Sequence, residues 1–454
     1  MATFELTREF IEELRNAISA DNSKESGKLI KDLHAADIAE IFDELNLEEA
    51  KYLYLLIDGE KAADVLIELE DDVRDRFLDA LPSDVIARQF IDNMDSDDAA
   101  DVISTLSEEK QTEILQHIDD AEQAGDIVDL LAYDENSAGG LMAKELIKVN
   151  INWDMVTCTR EMRKQAAEVD EIYYVYVVDD DNILKGTVSL KKMLLARANS
   201  KIKNIYNSDI ISVDTGKDRE EVANVMEKYD LVALPVIDKI GRLLGRITID
   251  DVVDVIKEEA EKDYQMISGI TEDVESSDNV LLLTRARFPW LLIGLTGGIL
   301  GAQVISQFEE QIQINPKMAM FIPLIAAMGG NVGVQSSSIV VQGLANKSIN
   351  LDSTWRKLLK EFSVAVIISS IFSLLIFIYN FFLSDTIELT IMVSLALFTV
   401  MMFASVFGAF IPMMLNRFKI DPAVATGPFI TTMNDIIGII IYLFIGRVVY
   451  GFFH

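Results

Sequence analysis

The chain has 454 residues, 50% of them hydrophobic, and a formal net charge of -34. That is too long for one ordinary domain at roughly 150 residues each, and too acidic to offer nucleic-acid phosphates a basic face, so nucleic acid is excluded as a partner and cations are favoured. One cysteine, Cys158, excludes an internal disulfide, and three dispersed histidines (His34, His117, His454) argue against a zinc or copper centre. A hard cation with oxygen ligands fits what is left.

The charge is unevenly placed. From Phe288 onward eight acids and eight bases cancel, so the whole negative excess lies in residues 1–287. Most of these carboxylates read as a solvated surface. The first residues, Met1-Ala2-Thr3-Phe4-Glu5-Leu6, lack the basic-then-apolar pattern of a signal peptide.

Residues 1–135 read as helix after helix. A phrase recurs as Ala35-Ala36-Asp37-Ile38, Ala62-Ala63-Asp64-Val65 and Ala99-Ala100-Asp101-Val102, spaced 27 and then 37 residues apart. Turn signals such as Leu81-Pro82-Ser83-Asp84 separate the copies, with Ser83 or Asp84 as the expected helix cap. The pattern predicts a small superhelix of stacked helices. The densest acid run, Asp95-Ser96-Asp97-Asp98-Ala99-Ala100-Asp101, reads either as an acidic helix start or as half of a divalent-cation site.

Residues 136–263 contain a duplication. The segments beginning Tyr176-Val177-Val178 and Pro235-Val236-Ile237 match at an offset of 59, each predicting strand, tight turn, strand and helix. This resembles a tandem pair of cystathionine-β-synthase (CBS) type domains. The resemblance implies an adenine-nucleotide (ATP) contact through Thr248 and Asp251 of the second copy. The first copy has Ser189 and Lys192 there, so at most one nucleotide site is expected; a pair that only dimerises and transmits shape changes is the other reading. Beyond it, Asp251, Asp254, Glu258 and Glu261 share one helix face, and Glu259 and Asp263 another. Residues 264–287 predict an amphipathic connector (plug) helix ending in Arg285 and Arg287, a basic entry to a membrane.

Residues 288–454 hold five apolar stretches near the roughly 20 residues a membrane span requires: 288–308, 318–345, 362–383, 389–415 and 423–449. Lys347, Arg356, Lys357 and Lys360 lie in the second connection, and Arg417 and Lys419 in the fourth. Glu309, Glu310, Asp385 and Glu388 lie in the other two. Basic loops stay cytoplasmic, so the N-terminal domains are expected inside and the C-terminus outside. The second span is oddly polar, with Gly329, Gly330, Asn331, Gly333 and Gln335. Asp435 is read as the only ionisable group well inside a span, hence as a functional candidate. Gly427-Pro428 upstream predicts an opened backbone with exposed carbonyls.

Taken together, these features resemble the MgtE family of magnesium channels and transporters along essentially the full chain. The motif stretches are Pro323 through Gly329-Gly330-Asn331-Val332-Gly333-Val334-Gln335, and Asp421-Pro422-Ala423 leading to Asp435. The implied architecture is a multidomain membrane protein: an α-helical superhelix (1–135), an α/β tandem CBS pair (136–263), a connector helix (264–287) and a five-helix transmembrane domain (288–454). The resemblance implies no enzyme. It implies a homodimer in the lipid bilayer of the bacterial inner membrane that takes up Mg²⁺ between the two chains. Asp435 falls on the pore carboxylate for hydrated Mg²⁺, with Asn331 and Gly427 as accompanying pore positions; some members carry Asn where Gly427 stands. By position, Asp97, Asp98, Asp101, Asp218, Glu220, Asp230, Asp251, Asp254, Glu259, Asp263 and Asp421 match carboxylates through which cytosolic Mg²⁺ closes the pore, and Lys262 replaces an acid found in some members. The alternatives are a less selective transporter of Mn²⁺, Co²⁺ or Ni²⁺ and a nucleotide-sensing membrane receptor. An aspartyl hydrolase would need two carboxylates sharing a proton, and an anion channel interior Lys or Arg.

Overall fold

The computed structural model describes every residue except 1–3, 168, 170, 273, 275–278, 346–353, 384–385, 426 and 454. Lys347, Asp385 and His454, used above, lie outside the described residues. The chain divides into two compact units, Met1–Lys257 and Glu258–His454.

The first unit opens with ten α-helices among the described residues: α1 (Arg8–Ser19), α2 (Ser23–Ile30), α3 (Ala35–Asp43), α4 (Leu47–Tyr54), α5 (Gly59–Ile67), α6 (Asp71–Asp79), α7 (Ser83–Gln89), α8 (Ser96–Ser104), α9 (Glu108–His117) and α10 (Ala121–Leu130). The repeated phrase falls in α3, α5 and α8. Its alanines Ala35, Ala62, Ala63, Ala99 and Ala100 are all buried, small residues where helices close on one core. Asn46 caps α4 in a reciprocal box with Glu49. The cap expected at Ser83 or Asp84 is not there: Pro82 holds that position without a side-chain bond, and Ser83 Oγ instead donates to Glu113 of α9 at 2.8 Å. Proline at the entry presets the backbone, which frees the serine to bridge.

Two matching sheets follow. β1 (Ile147–Asn150), α11 (Met155–Gln165), β2 (Val175–Val178), β3 (Leu184–Val188) and α12 (Leu190–Leu195) form the first copy. The second comprises β4 (Val213–Asp214), α13 (Arg219–Tyr229), β5 (Ala233–Ile237), β6 (Leu243–Thr248) and α14 (Ile249–Ile267). Each sheet pairs its first two strands parallel and its last two antiparallel. The duplication extends to irregularities: both hairpins shift register at equivalent points, Val177/Val178 and Val236/Ile237. Turn residues Asn182 and Gly241 both adopt left-handed φ, +62° and +89°. Gly186 and Gly245 are equivalent too. A methyl group at either would strike a crossing backbone, at Asn207 and at Ala143 respectively, so these positions require glycine. The second copy shares one continuous buried cluster with the helical array, while the first has its own.

In the second unit, five helices are long and apolar enough to cross a membrane. They belong to α15 (Val280–Gln307), α17 (Ile322–Ala345), α18 (Thr354–Leu383), α19 (Ile387–Arg417) and α20 (Pro428–Phe453), with the short α16 (Glu309–Ile314) between the first two. The fourth span is 61% buried against 11–28% for the others, which places α19 at the centre, packed by α17, α18 and α20. α15 packs on α20.

Three expectations change here. The 264–287 connector is not a helix of its own. α14 runs on to Ile267, Gly269 turns the chain at φ +82°, and α15 starts at Val280 and carries the rest into the first span. The fifth span starts at Pro428 rather than at 423, because a 3-10 turn (Pro422–Ala425) and Gly427 precede it. And Asp435 has company: α18 begins at Thr354, so Glu361 lies inside the third span, accepting from Ser336 Oγ of α17 (2.6 Å) and Ser405 Oγ of α19 (2.8 Å). A carboxylate in that setting needs such donors.

Candidate functional site

Proline at the first position of α20 suits a helix start, where its missing N–H costs no bond. Asp421 Oδ1 accepts from Ala423 N at 2.8 Å and so caps the preceding turn; its side chain is exposed. Gly427 has φ +55°, and a methyl group there would stand 2.2 Å from the Ile267 carbonyl oxygen at the end of α14. Gly269 likewise rests on Pro428 and Trp290. The end of α14 therefore abuts the start of α20.

Two turns along α20, Asp435 is half-buried against α17: a methyl group on Gly330 would sit 3.4 Å from its Oδ1 and 3.1 Å from Thr431 Cγ2. Gly333, one turn on, faces Asn434 and Ile430 of α20, and Gly408 of α19 packs on the Gly333 backbone from another side. The glycines of α17 thus serve close helix packing. Asn331 lies elsewhere, exposed with Gln335 on another face of α17, so one chain does not bring Asn331 to Asp435. Glu259 and Asp263 are half-buried on the later part of α14, where Lys262 Nζ stands 3.4 Å from Glu259.

In the first unit, α8 and the start of α14 bring carboxylates together. Oxygens of Asp95, Asp97 and Glu145 all approach within 4.8 Å of one another. Ser96 holds Glu145, donating from N (3.2 Å) and Oγ (2.9 Å), and Asp98 N donates to Asp97 at 3.0 Å. Asp97 is only 8% exposed. Burial, then the charges of Asp98, Asp251, Asp95 and Glu145, hold its carboxyl well above the usual range. Burial, then Asp251, Asp95, Asp101 and Asp250, push Asp98 up to about 7. Asp251 is pushed up to about 6, by burial first, with Asp250 and Asp254 adding and hydrogen bonds from Thr248 opposing. Asp97, Asp98, Asp101, Asp251 and Asp254 therefore form one electrostatic group. Arg246 partly offsets it: Nη2 stands 3.9 Å from Asp95, Nη1 donates to the Glu171 carbonyl (2.9 Å), and the guanidinium lies over Tyr173. Crowded, desolvated oxygen donors suit a divalent hard cation.

Asp95 belongs to the acid run already read as half of a divalent-cation site, whereas sequence reading missed Asp250 and Glu145 as members. Asp250 adjoins a residue already singled out; Glu145 is isolated in sequence and carries no signal. Asp218 and Glu220 sit at the start of α13, where Asp218 accepts from Glu220 N at 3.0 Å, and Asp230 is the left-handed cap at its far end, so these are not one cluster. Thr248 and Asp251 are engaged with each other: Thr248 N and Oγ1 each donate to Asp251 Oδ2 at 2.9 Å, which caps α14.

Family models match the chain at residues 322–445 (MgtE, divalent cation transporter), 33–136 (MgtE intracellular N domain) and 138–199 and 202–258 (CBS domain). The chain is 30% identical to the magnesium transporter MgtE of Thermus thermophilus over 438 residues, covering 96% of this chain and 97% of that one. It is 30% identical to the Bacillus subtilis protein of that name, covering 91% of each, and 35% identical to that of Enterococcus faecalis, covering 73% of each. It is similar to the solved soluble part of a magnesium transporter (30% identity, TM-score 0.50, 56% of this chain and 98% of that one). A cytosolic domain of the Mg²⁺ channel MgtE in complex with ATP is similar too (31% identity, TM-score 0.51, 54% and 99%). With a helical N domain, a CBS pair and five membrane-spanning helices in the same order, this integral membrane protein belongs to the MgtE family of divalent cation transporters.

Proposed function

We propose that the protein is a homodimeric, Mg²⁺-selective channel of the bacterial inner membrane that mediates Mg²⁺ uptake and closes when cytosolic Mg²⁺ occupies its acidic domains. One observation carries this reading: Asp435 of α20 lies against Gly330 of α17, while another face of α17 exposes Asn331 and Gln335. Polar groups on a membrane helix cannot be left to lipid. A second copy covering that face, with water between the chains, satisfies them. Two Asp435 carboxylates then supply a negative field. Mg²⁺ dehydrates reluctantly, so it is recognised with its waters on. The magnesium-transporter names of the relatives support this ion.

Gating follows from charge. Without Mg²⁺ the group formed by Asp97, Asp98, Asp101, Asp251 and Asp254 repels itself; a bound cation removes that repulsion and favours one arrangement of α14. Because the end of α14 abuts Gly427-Pro428, that arrangement acts on the helix carrying Asp435. Asp218, Glu220, Asp230, Glu259, Asp263 and Asp421 are proposed as further sensing carboxylates. The basic residues Arg356, Lys357, Lys360, Arg417 and Lys419 support a topology with the N-terminal domains in the cytoplasm and the far end of α20 outside. ATP binding to the CBS pair is supported by the related domain solved with ATP; here the nucleotide would take over the hydrogen bonds between Thr248 and Asp251.

Mg²⁺ uptake into proteoliposomes tests the pore. Asp435→Ala is expected to abolish it, and wild-type uptake by that variant would overturn the assignment. Competition by Mn²⁺, Co²⁺ and Ni²⁺ separates a selective channel from a broader one. Joint Asp251→Asn and Asp254→Asn substitution is expected to leave the channel open at high internal Mg²⁺; normal closure would sink the gating scheme.

A further inference from the structure

Next to Asp435 on α20 stands Asn434, a group with no part in the proposed permeation and gating. Asn434 is 1% exposed, and among the described residues neither its Oδ1 nor its Nδ2 has a hydrogen-bond partner. Buried amides are normally paired, because an unmet donor or acceptor carries its full desolvation cost. The amide is not there by packing accident. It points at Gly333 of α17, where a methyl group would stand 1.9 Å from Asn434 Nδ2, so the absence of a side chain at Gly333 makes the space the amide fills. Asp435 meets Gly330 one turn away on the same helix. Two adjacent polar side chains of α20 thus stack along one glycine ridge of α17. The first is a half-buried carboxylate; the second is a fully sheltered amide.

We propose that Asn434 is a specificity-determining residue of cation permeation, whose amide exchanges hydrogen bonds with the water shell of the divalent cation drawn in by Asp435. This rests on the assignment of Asp435 to the permeation path. A dry contact between α17 and α20 leaves the amide unmet; entry of a water-clad ion satisfies both its donor and its acceptor. An ion that keeps its waters gains from such a group, and one that sheds them readily gains less. Mg²⁺ is of the first kind and Ca²⁺ of the second.

The test uses the full-length protein in detergent and in proteoliposomes, with Mg²⁺ and Ca²⁺ as probes. Asn434→Leu keeps the size and removes the polarity. Its melting temperature is expected to hold or rise, because an unmet amide is gone, while Mg²⁺ flux falls roughly tenfold and the Mg²⁺/Ca²⁺ flux ratio drops. Asn434→Ser, smaller but polar, is expected to keep more of that ratio than the leucine variant. The proposal is overturned if Asn434→Leu conducts and discriminates as wild type. It is also overturned if that variant loses stability and Asn434→Ser shows no recovery of the ratio, since the amide would then be a structural partner. Asp435→Ala runs in parallel. If it abolishes flux while Asn434→Leu behaves as wild type, only the role of Asn434 falls; if it too conducts normally, the pore assignment itself falls.

Discussion

Asp98 and Asp251 hold their protons to about pH 7 and 6 because burial and neighbouring carboxylates both disfavour their charged forms. A carboxyl whose pKa is raised on folding binds protons more tightly in the native state. Its contribution to stability is full below the unfolded value, about 4, and is lost as pH rises through the folded value. Without Mg²⁺, the melting temperature of the first unit is therefore expected to fall between about pH 5 and pH 8. Mg²⁺ competes with protons for these oxygens, so its stabilising effect is expected to be larger at pH 8. Equal Mg²⁺ effects at both pH values in a thermal melt would sink this account, and Asp98→Asn is expected to flatten the pH dependence. At this scale the sequence showed the acidic run of α8 and the acids of α14. It did not show that they meet, because they stand about 150 positions apart in the chain and only folding closes that distance.

At the scale of elements, the glycines of the membrane unit do different work from one another. A methyl group at Gly408 would lie 2.3 Å from the Gly333 carbonyl oxygen, which is backbone and cannot move aside. Gly408→Ala is expected to destabilise the membrane unit by about 1–3 kcal/mol, read as a lower melting temperature in detergent. Gly298→Ala, which meets nothing within 4 Å among the described residues, is the neutral comparison. Gly427→Ala is strained twice over, by its φ of +55° and by the Ile267 carbonyl. Its expected phenotype is altered closure by internal Mg²⁺ with conduction retained, measured as the internal Mg²⁺ that halves flux. Retained conduction with an unchanged half-closing Mg²⁺ would count against transmission from α14 to α20. The five spans were legible because apolar length alone specifies them. The fate of 264–287 was not: its amphipathic pattern suits a helix, but Gly269 breaks it and divides it between α14 and α15.

For the whole molecule, the organising fact is segregation of charge: acidic residues 1–287 and an apolar, electrically neutral remainder. The predicted topology can be read by labelling single cysteines. Cys158 is buried and its thiol is pushed up to about 11 by burial, so background labelling is expected to be low. In a Cys158→Ser background, Lys419→Cys is expected to react only from the cytoplasmic side and Glu310→Cys only from the outside. The reverse pattern would invert the scheme and remove the acidic domains from the compartment whose Mg²⁺ they are proposed to sense.

By itself the sequence determined the order of parts, the duplicated α/β fold, the five spans and the acidic character of residues 1–287. These depend on local periodicity, composition and turn chemistry, which any stretch of chain carries with it. Tertiary structure alone decided which carboxylates share a field, that Glu361 is held by serines of two other spans, and that Asn434 is sheltered beside Asp435 without a partner among the described residues. Those are properties of distance and desolvation between segments remote in the chain, and no local pattern encodes them.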